Sequence, residues 1–293
     1  MNTGFVAIIG LPNVGKSTLL NAIVGEKIAI TADKPQTTRN RIRGIYTDDE
    51  SQIVFIDTPG VTKPRNKLGE YMADAAFGTL PDADAILFLI DRVGGEVTGS
   101  ERFILQKIKD TKSPKVLVIN KIDLMGPDEF RHNYESWEAL GIFEDIIGTV
   151  ATERLNVEDV IRALKKRMPE GPRYFPEGMV TDRPERFLAA EMIREKTLRY
   201  LNDEVPHGVA VEIEKYDEAP GVTRISAVIY TEKKSHKGII IGKDGRKLKG
   251  IGKSAREDME RLLGTKVFLE LWVKVKVGWR DSDFMLGSLG YRD

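Results

Sequence analysis

The chain has 293 residues, 45 Lys plus Arg against 45 Asp plus Glu, 41% hydrophobic residues and no cysteine. That length suits two domains of ordinary globular composition, and the missing cysteines exclude disulfides, thiolate metal sites and thiol catalysis. With no net charge there is no global field to draw in a polyanion, so nucleic-acid binding requires a local basic patch.

Met1 to Gly4 leads straight into a strand-like segment, and no run approaches the roughly 18 consecutive apolar residues of a membrane helix. The expected location is therefore the cytosol. From Phe5 to about Ala163, apolar β-rich runs (FVAII, QIVFID, ADAILFLID, KVLVIN, EDIIGTV) alternate with helical stretches. This predicts an α/β domain over 1–170 with a mostly parallel sheet and ligands at the carboxyl ends of its strands. Residues 168–184 hold four of the 13 prolines without periodicity, so 171–184 reads as a linker. A second, α+β domain is expected over 185–293: a helix to Leu201, strands near Val209–Lys215 and Thr223–Thr231, a glycine-rich basic turn, a helix to Leu263 and a strand to Val277.

The first motif is GLPNVGKS, followed by Thr18. Between a buried strand and a helix it fits the phosphate-binding loop. Gly10 and Gly15 let backbone N–H groups of the loop turn around phosphate oxygens, with Leu11, Pro12, Asn13 and Val14 completing the wall around the nucleotide; Lys16 reaches the β- and γ-phosphates, and the Ser17 hydroxyl ligates Mg²⁺. Next, Pro35-Gln36-Thr37-Thr38-Arg39 is a polar loop suited to bring Thr38 to the same metal. Asp57-Thr58-Pro59-Gly60 follows a strand, so that Asp57 can hold Mg²⁺ through water and the Gly60 N–H can meet the γ-phosphate. Loss of that phosphate would release Val61 to Leu68. Lys16, Thr38 and Gly60 form the expected catalytic set, and Ser17, Thr38 and Asp57 the expected metal ligands.

Asn120-Lys121-Ile122-Asp123 selects between purines. Guanine offers adjacent N1–H and N2 amino donors that one carboxylate, Asp123, accepts together, whereas adenine leaves that acid unpaired. Asn120 is expected to tie neighbouring loops together and the Lys121 stem to lie over the base. His132, His207 and His236 are too scattered for a metal cluster or a Ser-His dyad.

In this order, GLPNVGKS, KPQTTRNRI, FIDTPG and NKID resemble the translation-factor-related GTPases, and within them the Era family of bacterial ribosome-assembly GTPases. The resemblance implies GTP and GDP as ligands with Mg²⁺. Val61 stands where Ras-like proteins carry the glutamine that orients water, which implies slow turnover, with water placed by backbone groups, a monovalent cation such as K⁺ near Asn13, or a partner. In TVATERLN, Val150-Ala151 replaces the family's Ser-Ala, leaving the Ala151 backbone contact to the base.

Lys233 to Arg256 carries nine Lys or Arg against one acid, Asp244. Within it, Ile239-Ile240-Ile241 reads as a strand edge before the GxxG of Gly242-Lys243-Asp244-Gly245. Such a loop clamps about four nucleotides of RNA backbone in KH modules. Lys234, Lys237, Gly238, Ile241, the GxxG residues and Arg246 are the expected RNA contacts. The element order resembles a type II KH domain, and the tail WVKVKVGWRDSDFMLGSLGY resembles the Era C-terminus. That family implies a partner in the 3′ region of 16S ribosomal RNA during 30S maturation, a monomer, and peripheral association with the inner membrane face. Two rival readings keep the phosphate loop: a kinase or ATPase, which Asp123 argues against, and an RNA-binding protein in which nucleotide is only structural.

Overall fold

The apolar runs of the first half build a single six-stranded sheet. A computed structural model of the protein, describing residues 1–34, 36–62, 64–92, 96–202 and 205–291, gives β1 (Asn2–Gly10), α1 (Lys16–Val24), β2 (Ile42–Thr47), β3 (Ser51–Asp57), α2 (Lys67–Phe77), β4 (Ala85–Ile90), α3 (Gly99–Ile108), β5 (Lys115–Asn120), α4 (Pro127–Glu138), β6 (Asp145–Thr149) and α5 (Val157–Lys165) in that order. The strands lie in the order β2-β3-β1-β4-β5-β6, and only β2 runs antiparallel to its neighbour. AILFLI of β4 and KVLVIN of β5 are buried at every position, as a parallel sheet covered on both faces requires. On one face Ile86, Phe88, Leu117 and Ile119 pack against Ile104, Ile108 and Trp137. Each such side chain contributes roughly 1.5–3 kcal/mol by leaving water.

Strand order reverses about β1, with β3 on one side and β4 on the other. A crevice therefore opens at the carboxyl ends of these strands. Gly10, Asp57 and Asn120 are the last residues of β1, β3 and β5, so the chain's phosphate, metal and base motifs converge there.

The chain divides into two compact units: Met1–Ala29, Thr38–Pro64 and Met72–Asp182 form the first; Ile30–Thr37, Arg65–Tyr71 and Arg183–Asp293 form the second. This differs from the sequence-based division in two respects. Two short segments of the N-terminal half pack with the second unit. The proline-rich stretch to Asp182 has neither helix nor strand, yet it belongs to the first unit. The carboxamide of Gln52, fully buried, explains the latter: Oε1 accepts from the amides of Tyr174 (2.7 Å) and Phe175 (2.9 Å), while Nε2 donates to the Phe175 carbonyl at 2.9 Å. Further along, the Ile45 amide donates to Val180 O at 2.9 Å and Arg43 pairs with Asp182 at 2.7 Å.

The second unit contains α6 (Glu185–Arg199), β7 (Ala210–Ala219), β8 (Val222–Thr231), α7 (Lys234–Ile241), α8 (Arg246–Leu263), β9 (Lys266–Val275) and α9 (Asp283–Ser288). Its sheet has the order β7-β8-β9, antiparallel then parallel. Ile193 of α6 and Ile251, Ala255 and Met259 of α8 cover Ile225, Ala227 and Ile229. The expected strand edge at Ile239-Ile240-Ile241 is instead the end of α7. Ile240 enters the core while Ile239 is exposed, so tertiary packing overrides the β preference of a β-branched run.

Candidate functional site

Residues 10–18 run from the end of β1 through a tight loop into the first turn of α1. Gly15 has φ +99°, and a Cβ there would lie 2.1 Å from the Asn120 Nδ2. Only glycine suits both demands. Lys16 is buried and donates to the carbonyls of Gly10 (3.2 Å) and Leu11 (2.9 Å). Burial lowers its pKa to about 8, opposed by Asp57 and Asp91. Thus the loop holds a cation over its own carbonyls, at the amino end of a helix whose free N–H groups favour anions.

The Ser17 Oγ donates to Asp57 Oδ2 at 2.6 Å and lies 2.7 Å from Thr38 Oγ1. Register places Asp57 beside Ile8 in the β1–β3 pair. The carboxyl is completely buried, and burial raises its pKa to about 6 against the pull of Lys16 and the hydrogen bond from Ser17. Its second oxygen, Oδ1, has no hydrogen-bond partner among protein atoms. A buried orphan oxygen beside two hydroxyls is an all-oxygen donor set for a hard divalent cation. Among the described residues no group of three His, Cys, Asp or Glu could hold a metal, so the remaining ligands fall to phosphate and water, the usual arrangement for Mg²⁺. Pro35, in the loop before Thr38, lies outside the described residues.

Asn120, at the end of β5, joins three loops. Its Nδ2 donates to Val14 O at 2.9 Å, and its Oδ1 accepts from Thr149 Oγ1 (3.0 Å) and the Ala151 amide (3.1 Å). Ala151, whose backbone is expected to contact the base, thus donates its N–H to Asn120. Lys121 is left-handed, with φ 60°, and its Nζ bridges Asn13 O and Asp91 Oδ2, both at 2.7 Å. Asp123 is exposed in the following short helical turn, Ile122–Leu124, its carboxylate accessible to a base. Asp91 and Thr149 were not singled out from the sequence. Their signal was an acid directly after ILFLI and a hydroxyl at the end of EDIIGTV.

After β3, the Thr58 hydroxyl is occupied by Ile8 O at 2.7 Å, a tie within the fold, and Pro59 and Gly60 follow. Val61 is buried in the apolar cluster beneath the sheet, and its amide donates to Gly10 O at 3.1 Å. No polar side chain stands at that position to orient water.

In the second unit Lys234, Lys237, Gly238 and Ile241 all lie on α7, which ends at Gly242 with φ 71°. Lys243 and Asp244 are exposed, Gly245 is also left-handed, and Arg246 opens α8 while pairing with Asp244 at 3.1 Å. Beside this loop, α8 and β9 enclose a groove of about 490 Å³, with Leu248, Leu269 and Leu271 as apolar wall and Lys249, Lys253 and Arg256 as cationic lining. The sequence reading missed this groove. Its signal was the four-residue spacing Leu248–Gly252–Arg256 and Lys249–Lys253, which brings these residues together along a helix.

A phosphate loop fastened through one carboxamide to a base-selecting loop defines a P-loop GTPase, here joined to a KH unit. Residues 5–121 match the family of 50S ribosome-binding GTPases and residues 204–280 the KH domain family. Along its full length the chain is 56% identical to GTPase Era of Alkaliphilus oremlandii and 53% identical to GTPase Era of Clostridioides difficile, in each case over 99% of the chain and 98–99% of the relative. Two solved structures, Era in complex with MgGDPNP and nucleotides 1506–1542 of 16S ribosomal RNA and an Aquifex aeolicus Era variant bound to GDP and AlF₄⁻, each align over 100% of both chains at 40% identity and a TM-score of 0.96. The chain belongs to the GTPase Era family.

Proposed function

We propose that this protein hydrolyses GTP slowly, and that its KH unit binds the 3′ region of 16S ribosomal RNA during assembly of the 30S subunit. Asn120 is the observation that carries the nucleotide half: one side chain fixes the phosphate loop and the loop around Ala151 together, so guanine and phosphate are read by one rigid body. The Era structure bound to MgGDPNP and to 16S nucleotides 1506–1542 supports both ligands.

In this reading Lys16 leaves the Gly10 and Leu11 carbonyls for the β- and γ-phosphates, where the N–H groups of the loop's non-proline residues donate to phosphate oxygens. Asp123 accepts the two guanine donors and the Lys121 stem covers the base. Ser17, Thr38 and Asp57 would hold Mg²⁺, which neutralises charge that develops on the transferred phosphoryl group. The Gly60 N–H meets the γ-phosphate. With Val61 buried, water is oriented by backbone groups, K⁺ near Asn13 or a partner, which makes intrinsic turnover slow. Across the GxxG loop, the α8 amino terminus and the amides of 242–245 take phosphates, while Lys234, Lys237, Ile241, Lys243 and Arg246 flank the strand and the leucine-walled groove accepts bases. The reading carries a cytoplasmic monomer. Peripheral membrane attachment is tested by flotation with anionic vesicles, and a K⁺ requirement by exchanging K⁺ for Na⁺. No helix among the described residues is long and apolar enough to cross a membrane.

Competition binding with GTP and ATP, followed by GTPase assays with an oligonucleotide of the 16S 3′ end, tests this. GTP should win by roughly 10⁴-fold or more, and RNA should bind tightly to the full chain. Equal affinity for ATP, or indifference to the oligonucleotide, overturns the reading.

A further inference from the structure

The segment between β6 and α5, residues 150–156, carries Ala151 past Asn120 and then turns back on itself. Val150 and Leu155 exchange backbone hydrogen bonds at 3.4 and 3.2 Å, which closes the loop. Its foot is held by Asn156, whose Nδ2 donates to Gly148 O at 2.8 Å. Two residues of this short stretch are left-handed, Arg154 at φ 59° and Asn156 at φ 60°. Asparagine visits that region readily, but a long side chain does so only where its surroundings hold it there. Strain of this kind gathers at ligand clamps.

What holds Arg154 is the end of α1 remote from the phosphate loop. Its Nη1 donates to the Ala22 carbonyl in the last turn of that helix, and its Nη2 lies 3.4 Å from Glu158 Oε1 on α5. The last four carbonyls of a helix lack partners within it. In α1 the Gly25 N–H takes Asn21 O, and the last turn has no basic residue of its own. Arg154 therefore supplies both a missing donor and the cation that the carboxyl end of a helix favours. The opposite end of the same helix opens with Lys16 and Ser17. All these residues belong to the first unit.

We infer that Arg154 is a positioning residue for the guanine nucleotide, a clip that fastens the loop around Ala151 to α1 and slows nucleotide release. The inference rests on the reading that this loop closes on the base. Asn120 fixes the start of the loop through Thr149 and the Ala151 amide, and Arg154 fixes its return. A loop tied at one end can swing away from a bound base, whereas a loop tied at both ends must first break a tie.

The test uses the full chain with Arg154→Ala, Arg154→Gly and Arg154→Lys. It measures the release rate of fluorescent GDP, the melting of the ligand-free protein, and amide hydrogen exchange of the parent across 150–155 with and without GDP. Arg154 is half-exposed, so the variants should fold. Arg154→Ala should speed GDP release about fivefold, which corresponds to about 1 kcal/mol for one net hydrogen bond. Arg154→Lys, which keeps a cation within reach of Ala22 O, should release GDP more slowly than Arg154→Ala. Arg154→Gly removes the left-handed strain together with the tie. It should melt above Arg154→Ala and yet release GDP just as fast, a split that a purely structural role would not produce. Unchanged GDP release in Arg154→Ala overturns the inference, as does a return to the parent rate in Arg154→Gly, since backbone strain alone would then set the rate. In the parent, GDP should slow exchange across 150–155. If it does not, the reading that this loop closes on the base fails, and the inference falls with it.

Discussion

Replacing Asn120 by Ala is the most incisive perturbation of the nucleotide site, because the residue contacts no part of the chemistry and yet fastens the loops that do. The substitution strands a carbonyl at Val14, an amide at Ala151 and a hydroxyl at Thr149, all paired with Asn120 at 2.9–3.1 Å and all buried. At about 1 kcal/mol net per hydrogen bond, and more for a group left unpaired, the loss is at least about 3 kcal/mol. A unit of this size loses about 2–4 °C in Tm per kcal/mol, so melting of the first unit should fall by roughly 6–12 °C. Guanine nucleotides should bind at least about tenfold more weakly, since 1.4 kcal/mol of added ordering cost already gives that factor. Asn120→Asp is the informative companion: it retains both acceptor contacts but sets a carboxylate against the Val14 carbonyl, and it should be no better than Ala. Differential scanning calorimetry and a fluorescent-GDP titration measure both effects. A melting shift within 2 °C of the parent, with GDP affinity unchanged, would refute the idea that this carboxamide makes base and phosphate loops one body.

Asp123→Asn should cut the preference for GTP over ATP by about 100-fold or more, read by competition binding, with little change in stability because the side chain is exposed. Burial raises the Asp57 pKa from 3.8 to about 6, so between those values the native state holds a proton that the unfolded chain has released. Ligand-free stability contributed by this group therefore falls as pH rises from about 4 to 6. Asp57→Asn should remove that slope and raise Tm at pH 7.5 while abolishing the Mg²⁺-dependent tightening of nucleotide. In the parent, Mg²⁺-dependent binding should weaken below pH 6 as the carboxyl protonates, which isothermal titration at pH 5 and 7.5 measures. Gly242→Asp forces φ +71° on a residue with a Cβ, 2.7 Å from the Lys247 Cβ, and points a negative charge at RNA phosphates. Affinity for the 16S oligonucleotide should drop more than about tenfold, with GTP affinity unchanged.

The glycines, Lys16, Ser17, Asp57 and Asn120 were legible from sequence because each motif follows a strand that is apolar at nearly every position. Burial on both faces writes such strands as unbroken runs. IRGIYT of β2 escaped, since an outer strand with one face less covered alternates and loses its run. The three isoleucines before Gly242 misled for the opposite reason: their β-branched chemistry matches a strand, while Ile240 is needed in a helical register to reach the second core. The partners of Gln52, more than 120 positions away in the chain, leave no local trace. The groups that Gln52 engages at Tyr174 and Phe175 are backbone amides and a carbonyl, which every sequence has.

The Val180 carbonyl that meets the Ile45 amide does more than close one hydrogen bond. β2 is the outermost strand of its sheet, and bare outermost strands offer unsatisfied N–H and C=O groups as templates for other molecules. The proline-bearing stretch acts as a built-in sheath, since proline cannot extend a ladder. A fragment cut at Gly171 should therefore self-associate in solution, whereas one carried through Asp182 should stay monodisperse.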